Sequence, residues 1–99
     1  MYIINQTFSF ESNLEGRWKE WVQHTYIPNL LSHPDFIKNR MFKLISENQS
    51  YGTTYAVQFE ISNIVPMGAA IDTFSMYNKM IGDEFSDKVV FFTTILKEV

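Results

Sequence analysis

The chain has 99 residues, which is enough for one domain (residues 1–99) and too short for a second hydrophobic core. A hydrophobic fraction of 45% excludes a disordered protein, and a net charge of −3 argues against binding to nucleic acid or to an anionic membrane. The absence of cysteine excludes disulfides, cysteine-ligated zinc and thiol catalysis. Residues 1–10 do not resemble a signal peptide and no apolar run approaches the ~20 residues of a membrane span, so we expect a cytoplasmic protein.

Two stretches alternate apolar and polar residues with a period of two, as half-buried β-strands do. The first covers residues 2–10, and its apolar face contains Gln6 as the single exception. The second covers residues 52–62, behind a predicted turn at residues 47–52. Its apolar face consists of Tyr55, Val57, Phe59 and Ile61.

Between these strands, residues 12–15 match a capping box, in which a hydroxyl and a carboxylate satisfy free amides at a helix start. The helix that follows is predicted to have one apolar stripe, made by Leu14, Trp18, Trp21 and Val22. Pro28 lacks the amide that would bond back to the carbonyl of His24, so it is expected to kink or end the helix. The segment His33-Pro34-Asp35 predicts the final stop.

A second strand is predicted for residues 39–46, before the polar loop that leads into the central strand. Phe42 favours one register of this strand, and Met41 favours the opposite register. Arg40 is therefore compatible with either face of the sheet, and its direction stays open.

A second helix is predicted to start at Pro66, because a proline suits the first turn, where its missing amide has no partner. Its apolar stripe consists of Met67, Ile71, Phe74, Tyr77, Ile81 and Phe85. The final strand, residues 89–96, is apolar on both faces, which indicates that both faces are covered. These faces are Val89, Phe91 and Ile95 on one side and Val90, Phe92 and Leu96 on the other.

The element order strand, helix, strand, strand, helix, strand predicts an α+β, ferredoxin-like βαββαβ fold. Such a fold has a four-stranded antiparallel sheet with both helices on one face. Its other face would leave Phe92 and Leu96 uncovered, and exposed apolar patches of this kind are normally interaction sites. A second copy related by a two-fold axis, sheet to sheet or edge to edge, is the simplest cover and predicts a homodimer.

Several short segments, spread over nearly the whole chain, resemble one known family. They are Ile3-Ile4-Asn5-x-Thr7, Trp18-x-x-Trp21 with Tyr26-Ile27-Pro28, Gly52-x-Thr54-Tyr55-Ala56-Val57-Gln58-Phe59, and Phe92-Thr93-Thr94-Ile95-Leu96. Together they resemble the domain-of-unknown-function family 4286 of small bacterial proteins. The resemblance implies a ferredoxin-like fold of the dimeric α/β-barrel type, and it implies no established activity.

Polar side chains on the uncovered face form the main candidate site. They are Asn5, Thr7, Thr54 and Gln58, with Thr94 as a further member. Amides and hydroxyls at this spacing can fix a small polar ligand in an otherwise apolar pocket. The alternative, which we favour because ordinary sheets show such pairs, is that they hydrogen-bond to one another and to a partner subunit.

Two functions from different classes are compatible with this pattern. The first is an uncharacterised homodimeric domain whose sheet face forms the subunit contact and binds a small ligand. The second is a cofactor-free enzyme similar in fold to the antibiotic-biosynthesis monooxygenases, with acid–base or anion-holding groups from Tyr26, His24 or Arg40. The residues expected to contact a ligand are Asn5, Thr7, Tyr26, Arg40, Thr54 and Gln58.

No metal, cofactor or nucleic-acid partner is expected. The two histidines, His24 and His33, do not have the spacing of metal ligands, and no nucleotide-binding or nucleophile motif is present. RNA-recognition domains share the element order, but they stack bases on aromatic residues of the third strand. Thr54 and Ala56 occupy those places here.

Overall fold

An antiparallel sheet of four strands carries the helices on one of its faces. The computed structural model describes residues 1–45 and 52–99. Its strands are β1 (Tyr2–Phe10), β2 (Phe36–Lys43), β3 (Thr53–Ile61) and β4 (Val89–Lys97), in the spatial order β2-β3-β1-β4. This arrangement confirms the predicted ferredoxin-like α+β architecture.

The hydrophobic core lies between the helices and the apolar face of the two central strands. Trp18 packs on Phe8 of β1 with ring centroids 5.1 Å apart, and Phe74 packs on Phe59 of β3 at 5.8 Å. Phe8 and Phe59 lie on the same face of the sheet, because β1 and β3 pair in register. Each large apolar side chain buried in this layer contributes about 1.5–3 kcal/mol.

The first helical stretch covers residues 15–31 and follows a 3₁₀ turn (Ser12–Leu14). It comprises α1 (Glu15–Trp21), a π-helical turn (Val22–Tyr26) and α2 (Ile27–Leu31). Pro28 does not end it, because the preceding turn widens and the Ile27 amide donates to the carbonyl of Val22, five residues back. The stretch ends before residues 33–35, as predicted.

The predicted capping box at residues 12–15 is wrong. Neither side chain caps the helix, because both are bonded to the sheet: the Ser12 hydroxyl lies 3.1 Å from Thr53 Oγ1. The Glu15 carboxylate accepts hydrogen bonds from Lys43 Nζ at 2.8 Å and from the Tyr55 hydroxyl at 2.5 Å. These two hydrogen bonds lower the pKa of Glu15, the one from Lys43 more than the one from Tyr55. Burial, followed by the hydrogen bond to Glu15, raises the pKa of Tyr55 to about 12.

Strand β2 begins at Phe36, three residues earlier than predicted, and ends at Lys43, so residues 44 and 45, predicted as strand, lie outside it. Residue 46 of the predicted strand and residues 47–51 of the turn predicted at 47–52 lie outside the described residues. A β-bulge at Ile37 interrupts its pairing, since Phe36 is opposite Ile61 and Lys38 is already opposite Glu60. Strict alternation from the buried Phe36 would have put Arg40 under the helices. The extra residue moves Arg40 to the opposite face, where it pairs with Gln58.

The long helix α3 (Met67–Phe85) completes the helical layer. It starts directly after Pro66 and buries Ala70, Phe74, Ile81 and Phe85 against the sheet and α1. Pro66 was predicted in the first turn, but its extended backbone makes it the N-cap residue before the helix. Phe74, Ile81 and Phe85 of the predicted apolar stripe are buried, whereas Met67, Ile71 and Tyr77 are only partly buried. In the described ranges, no helix is both long enough and apolar enough to cross a bilayer.

Candidate functional site

The face of the sheet that the helices leave uncovered is called here the open face. The strand registers arrange its centre in two adjacent rows that run across all four strands. The polar row consists of Arg40, Gln58, Asn5 and Thr94. The apolar row, one step along the strands, consists of Phe42, Ala56, Thr7 and Phe92. Five of the six predicted ligand residues therefore share this face: Asn5, Thr7, Arg40, Thr54 and Gln58.

Hydrogen bonds connect the polar residues of the central strands. Gln58 Nε2 donates to Asn5 Oδ1 at 3.1 Å, and Asn5 Nδ2 donates to Thr94 Oγ1 at 3.2 Å and to Thr7 Oγ1 at 3.3 Å. The hydroxyls of Thr54 and its cross-strand neighbour Ser9 lie 3.0 Å apart. These contacts are the cross-sheet pairs that the sequence pattern favoured, and they fix the orientation of the Asn5 amide.

Arg40 differs from the rest of the polar row. Its guanidinium makes no hydrogen bond and no ion pair within residues 1–45 and 52–99, although its neighbour in the row, Gln58, is bonded to Asn5. It lines a shallow cavity of about 170 Å³ at this end of the open face. The other lining residues are Met1, Ile3, Lys38, Gln58, Glu60 and Glu98. An exposed, unpaired guanidinium beside a cavity is suited to bind an anionic group.

Large apolar side chains stand at both edges of the open face. Phe42 on β2 is 49% exposed and Phe92 on β4 is 60% exposed. Val90 and Leu96 of β4 share this face and are also exposed. The sequence predicted that both faces of the final strand are covered. Nothing in the described residues covers this face, and Phe91 and Ile95 on the helix side are each 37% exposed as well.

Tyr26 is not part of the open face. It lies in the π-helical turn, is fully buried on the helix side of the sheet, and its hydroxyl donates to Gln6 Oε1 at 2.8 Å and to Asn78 Oδ1 at 3.1 Å. Gln6 Nε2 also donates to Asn78 Oδ1 at 3.0 Å. Burial raises the pKa of Tyr26, and the hydrogen bond to Gln6 opposes that shift only in part. The sheet separates this polar cluster from the five other predicted ligand residues.

A model of one protein family matches residues 1–99, the whole chain, and its description is domain of unknown function (DUF4286). The protein belongs to DUF4286. The short segments quoted from its sequence therefore identified the correct family. No match to this DUF4286 protein was found among curated proteins.

Solved structures share the fold of this DUF4286 domain at low sequence identity. HapK from Hahella chejuensis is 18% identical with a TM-score of 0.64, and the match covers 100% of this chain and 93% of that one. A dimeric ferredoxin-like protein from an uncultured marine organism is 15% identical with a TM-score of 0.63, covering 99% and 97% of the two chains. An ethyl tert-butyl ether D (EthD) family protein from Bacillus halodurans is 13% identical with a TM-score of 0.66, and both chains are covered completely. At these identities the likeness shows the fold alone.

The residues named for acid–base chemistry are not brought together in the DUF4286 domain. His24 is exposed on the π-helical turn, Tyr26 is buried beneath the helices, and Arg40 lies on the open face. The second histidine, His33, has its ring nitrogen 3.6 Å from a carboxylate oxygen of Asp35, beside the end of α2. The geometry of the described residues therefore does not assemble the constellation on which the predicted enzyme depends.

Two groups that sequence reasoning missed belong to the buried cluster, Gln6 and Asn78. Gln6 is the residue that interrupts the apolar alternation of β1, and that exception was the available signal for a buried polar partner. Asn78 lies between apolar positions of α3 and carried no comparable signal. Phe42 was missed as a member of the open face, because the bulge in β2 reverses the alternation.

Proposed function

We propose that this protein is a homodimeric domain whose open face forms the subunit contact and encloses a small-ligand pocket. The observation that carries the proposal is the exposure of Phe42 and Phe92 on opposite edge strands of a face that lacks helices. Contiguous exposed apolar surface of this kind is typical of interaction sites rather than of monomers in water.

The area of the open face is sufficient for a stable contact. Four strands of about eight residues present roughly 500 Å² in projection, given the usual strand spacing and rise per residue. Two such faces stacked on each other would bury about 1,000 Å² or more, which is the lower bound for a specific interface. A contact restricted to the edge of β4 would bury less and leave Phe42 in water.

The pattern of the apolar row supports contact between two copies of the same face. A two-fold axis parallel to the strands superimposes β2 of one protomer on β4 of the other. In that arrangement Phe42 lies over the partner's Phe92, and Ala56 lies over the partner's Thr7. Large side chains then meet each other at both edges, and the two polar rows face one another. The solved ferredoxin-like protein that is described as dimeric lends fold-level support to a dimer.

The proposed ligand pocket uses the exposed polar residues of the open face and not Tyr26. Asn5, Thr7, Arg40, Thr54 and Gln58 share that face, whereas Tyr26 is fully buried on the other side. A ligand between the facing sheets would therefore contact the five open-face residues and would not contact Tyr26.

Analytical ultracentrifugation of a Phe92→Glu variant tests the dimer. The wild type is expected to sediment as a dimer at micromolar concentration, and the variant as a monomer, because each carboxylate would be buried against the phenyl ring of Phe42 in the other copy. Met76→Glu is the matched control: Met76 is exposed on the helix side, so the same substitution there should leave the mass unchanged.

A monomeric wild type, or a Phe92→Glu variant that stays dimeric, would contradict the proposal. Far- and near-ultraviolet circular dichroism should show that the variant is folded. The milder Phe92→Ala variant, which removes contact area without adding charge, should dissociate at a higher concentration than the wild type.

A further inference from the structure

On the open face, the edges carry large side chains and the central strands carry short ones. Its edges contribute large apolar side chains: Phe42 on β2, Leu44 directly after β2, and Val90 and Phe92 on β4. Its central strands contribute short side chains to the same rows, which are Thr7, Ser9, Thr54 and Ala56. A trough therefore runs along β1 and β3 between the two phenylalanines.

A trough of this shape cannot be filled by a second copy of itself. Packed sheets lie about 10 Å apart, and side chains from both must fill the gap at the density of a protein interior. A phenylalanine spans its half of that gap, whereas Ala56 and Thr7 do not. If two open faces meet as proposed above, they touch along the edge strands and leave a hollow above the central strands.

The polar row closes one end of this hollow. Arg40, Gln58 and Asn5 lie one step along their strands from Phe42, Ala56 and Thr7. Gln58 and Asn5 hold each other at 3.1 Å, so their amides are fixed, while the Arg40 guanidinium has no partner among the described residues. The cavity that Arg40 lines lies on the other side of the polar row, but an unpaired guanidinium in the row beside the hollow is close enough to form two parallel hydrogen bonds to a carboxylate there.

The other charges that line the Arg40 cavity stand farther from the hollow. Lys38 and Glu60 are directly opposite each other on β2 and β3, so their charges offset one another. Glu98 follows the end of β4, where its amide bonds to the Met1 carbonyl at 2.9 Å. Arg40 is therefore the charged group next to the apolar row.

We propose that the space between two facing sheets binds a small organic carboxylate with an apolar body. Arg40 binds the carboxylate, with Gln58 beside it, and the phenyl rings of Phe42 and Phe92 pack against the body above Ala56. This assignment rests on the proposed dimer, because the second copy supplies the opposite wall.

Isothermal titration calorimetry with benzoate, phenylacetate and hexanoate tests the site, on protein whose mass is measured in the same buffer. At least one of these carboxylates is expected to bind the dimer. Its uncharged counterpart, benzamide for benzoate, should bind at least about tenfold more weakly, the equivalent of 1.4 kcal/mol. Arg40→Gln should weaken the carboxylate by a similar factor and leave the dimer intact. The matched control is Arg17→Gln, which changes the chain's other arginine, on the helix side, and should leave the affinity unchanged.

The possible results distinguish a failure of the proposed ligand site from a failure of the proposed dimer. A dimeric wild type that binds none of the three carboxylates overturns the ligand site and leaves the dimer standing. Equal affinity in the Arg40→Gln and wild-type proteins overturns the role of the guanidinium. A monomeric wild type overturns the proposed dimer, and the enclosed site with it.

Discussion

Three polar side chains in and beside the core form a hydrogen-bonded cluster, whereas the buried Trp18 Nε1 has no partner among the described residues. Gln6, Tyr26 and Asn78 belong to three different elements, yet each makes a hydrogen bond to another member of the cluster. An unsatisfied buried donor or acceptor costs about 1–3 kcal/mol, so the cluster is stable only when all three members are present. It connects β1 to the first helical stretch and to α3, and it fixes their relative position.

Replacement of Tyr26 by Phe should destabilise the protein by about 1–3 kcal/mol, because Gln6 Oε1 then loses its donor in a site without water access. Urea denaturation followed by circular dichroism measures the change. Tyr77→Phe is the control, since the Tyr77 hydroxyl has no hydrogen bond to any described residue and its loss should cost less than about 0.5 kcal/mol. Equal losses in the two variants would contradict the role of the cluster.

Residue patterns indicated some of these contacts and not others. The polar exception Gln6 in an apolar strand face marked a buried partner, but its partners lie 20 and 72 positions away in sequence and only folding brings them together. Ser12 and Glu15 have the spacing of a capping box, yet tertiary partners on β2 and β3 compete successfully for both side chains. The spacing of Ser12 and Glu15 would allow both side chains to cap the helix, but their hydrogen bonds to the sheet prevent it.

At the scale of elements, the start of β3 depends on one glycine. Gly52 has φ = 139°, and a Cβ on it would lie 2.6 Å from the carbonyl oxygen of Phe10. This close approach positions the beginning of β3 against the end of β1, where the two strands pair from Phe10 and Thr53 onward. A side chain at this position would disturb both strands.

Gly52→Ala should therefore destabilise the domain, by roughly 1–3 kcal/mol for the backbone conformation alone, with the steric clash in addition. Gly16→Ala is the informative comparison: Gly16 is exposed in α1 with open space around its Cα, so the same change should stabilise by up to about 1 kcal/mol. Thermal unfolding of both variants tests this prediction. It is wrong if the melting temperatures of the two variants shift in the same direction from that of the wild type.

The elements with uniform alternation were predicted almost to the residue, and those with an irregularity were not. Strands β1 and β3 alternate without interruption, so period and boundaries agree with the sequence pattern. In β2 the bulge at Ile37 changes the face of every later residue, and no residue type at that position announces it. The sequence therefore could not predict on which face of the sheet Arg40 lies, nor whether Arg40 belongs to the candidate site.

At the scale of the whole molecule, one layer of helices covers only half of the sheet surface. The final strand shows the consequence: of its nine residues only Val89 is buried. β4 pairs with β1 alone, so its outer edge and its open face are without cover, and the helices cover its other side only in part, since Phe91 and Ile95 there are each 37% exposed. Association of two copies through the open face, as proposed above, would bury the open-face side of β4.

The melting temperature should consequently rise with protein concentration, because association stabilises the folded state by mass action. Differential scanning calorimetry over about two decades of concentration measures the dependence, and Phe92→Glu should abolish it. A wild-type melting temperature that is constant over this range would indicate that the monomer is the stable unit.

The bulge in β2 has a consequence for how relatives of this protein are compared. Removal of the single residue Ile37 would abolish the bulge, because Lys38 would then follow Phe36 directly and stay opposite Glu60, so Arg40 and Met41 would keep their faces. A one-residue gap there is therefore a change of length that leaves the chemistry of both layers unchanged. Family members that lack this residue should carry their cation at the position aligned with Arg40 if they preserve the same surface.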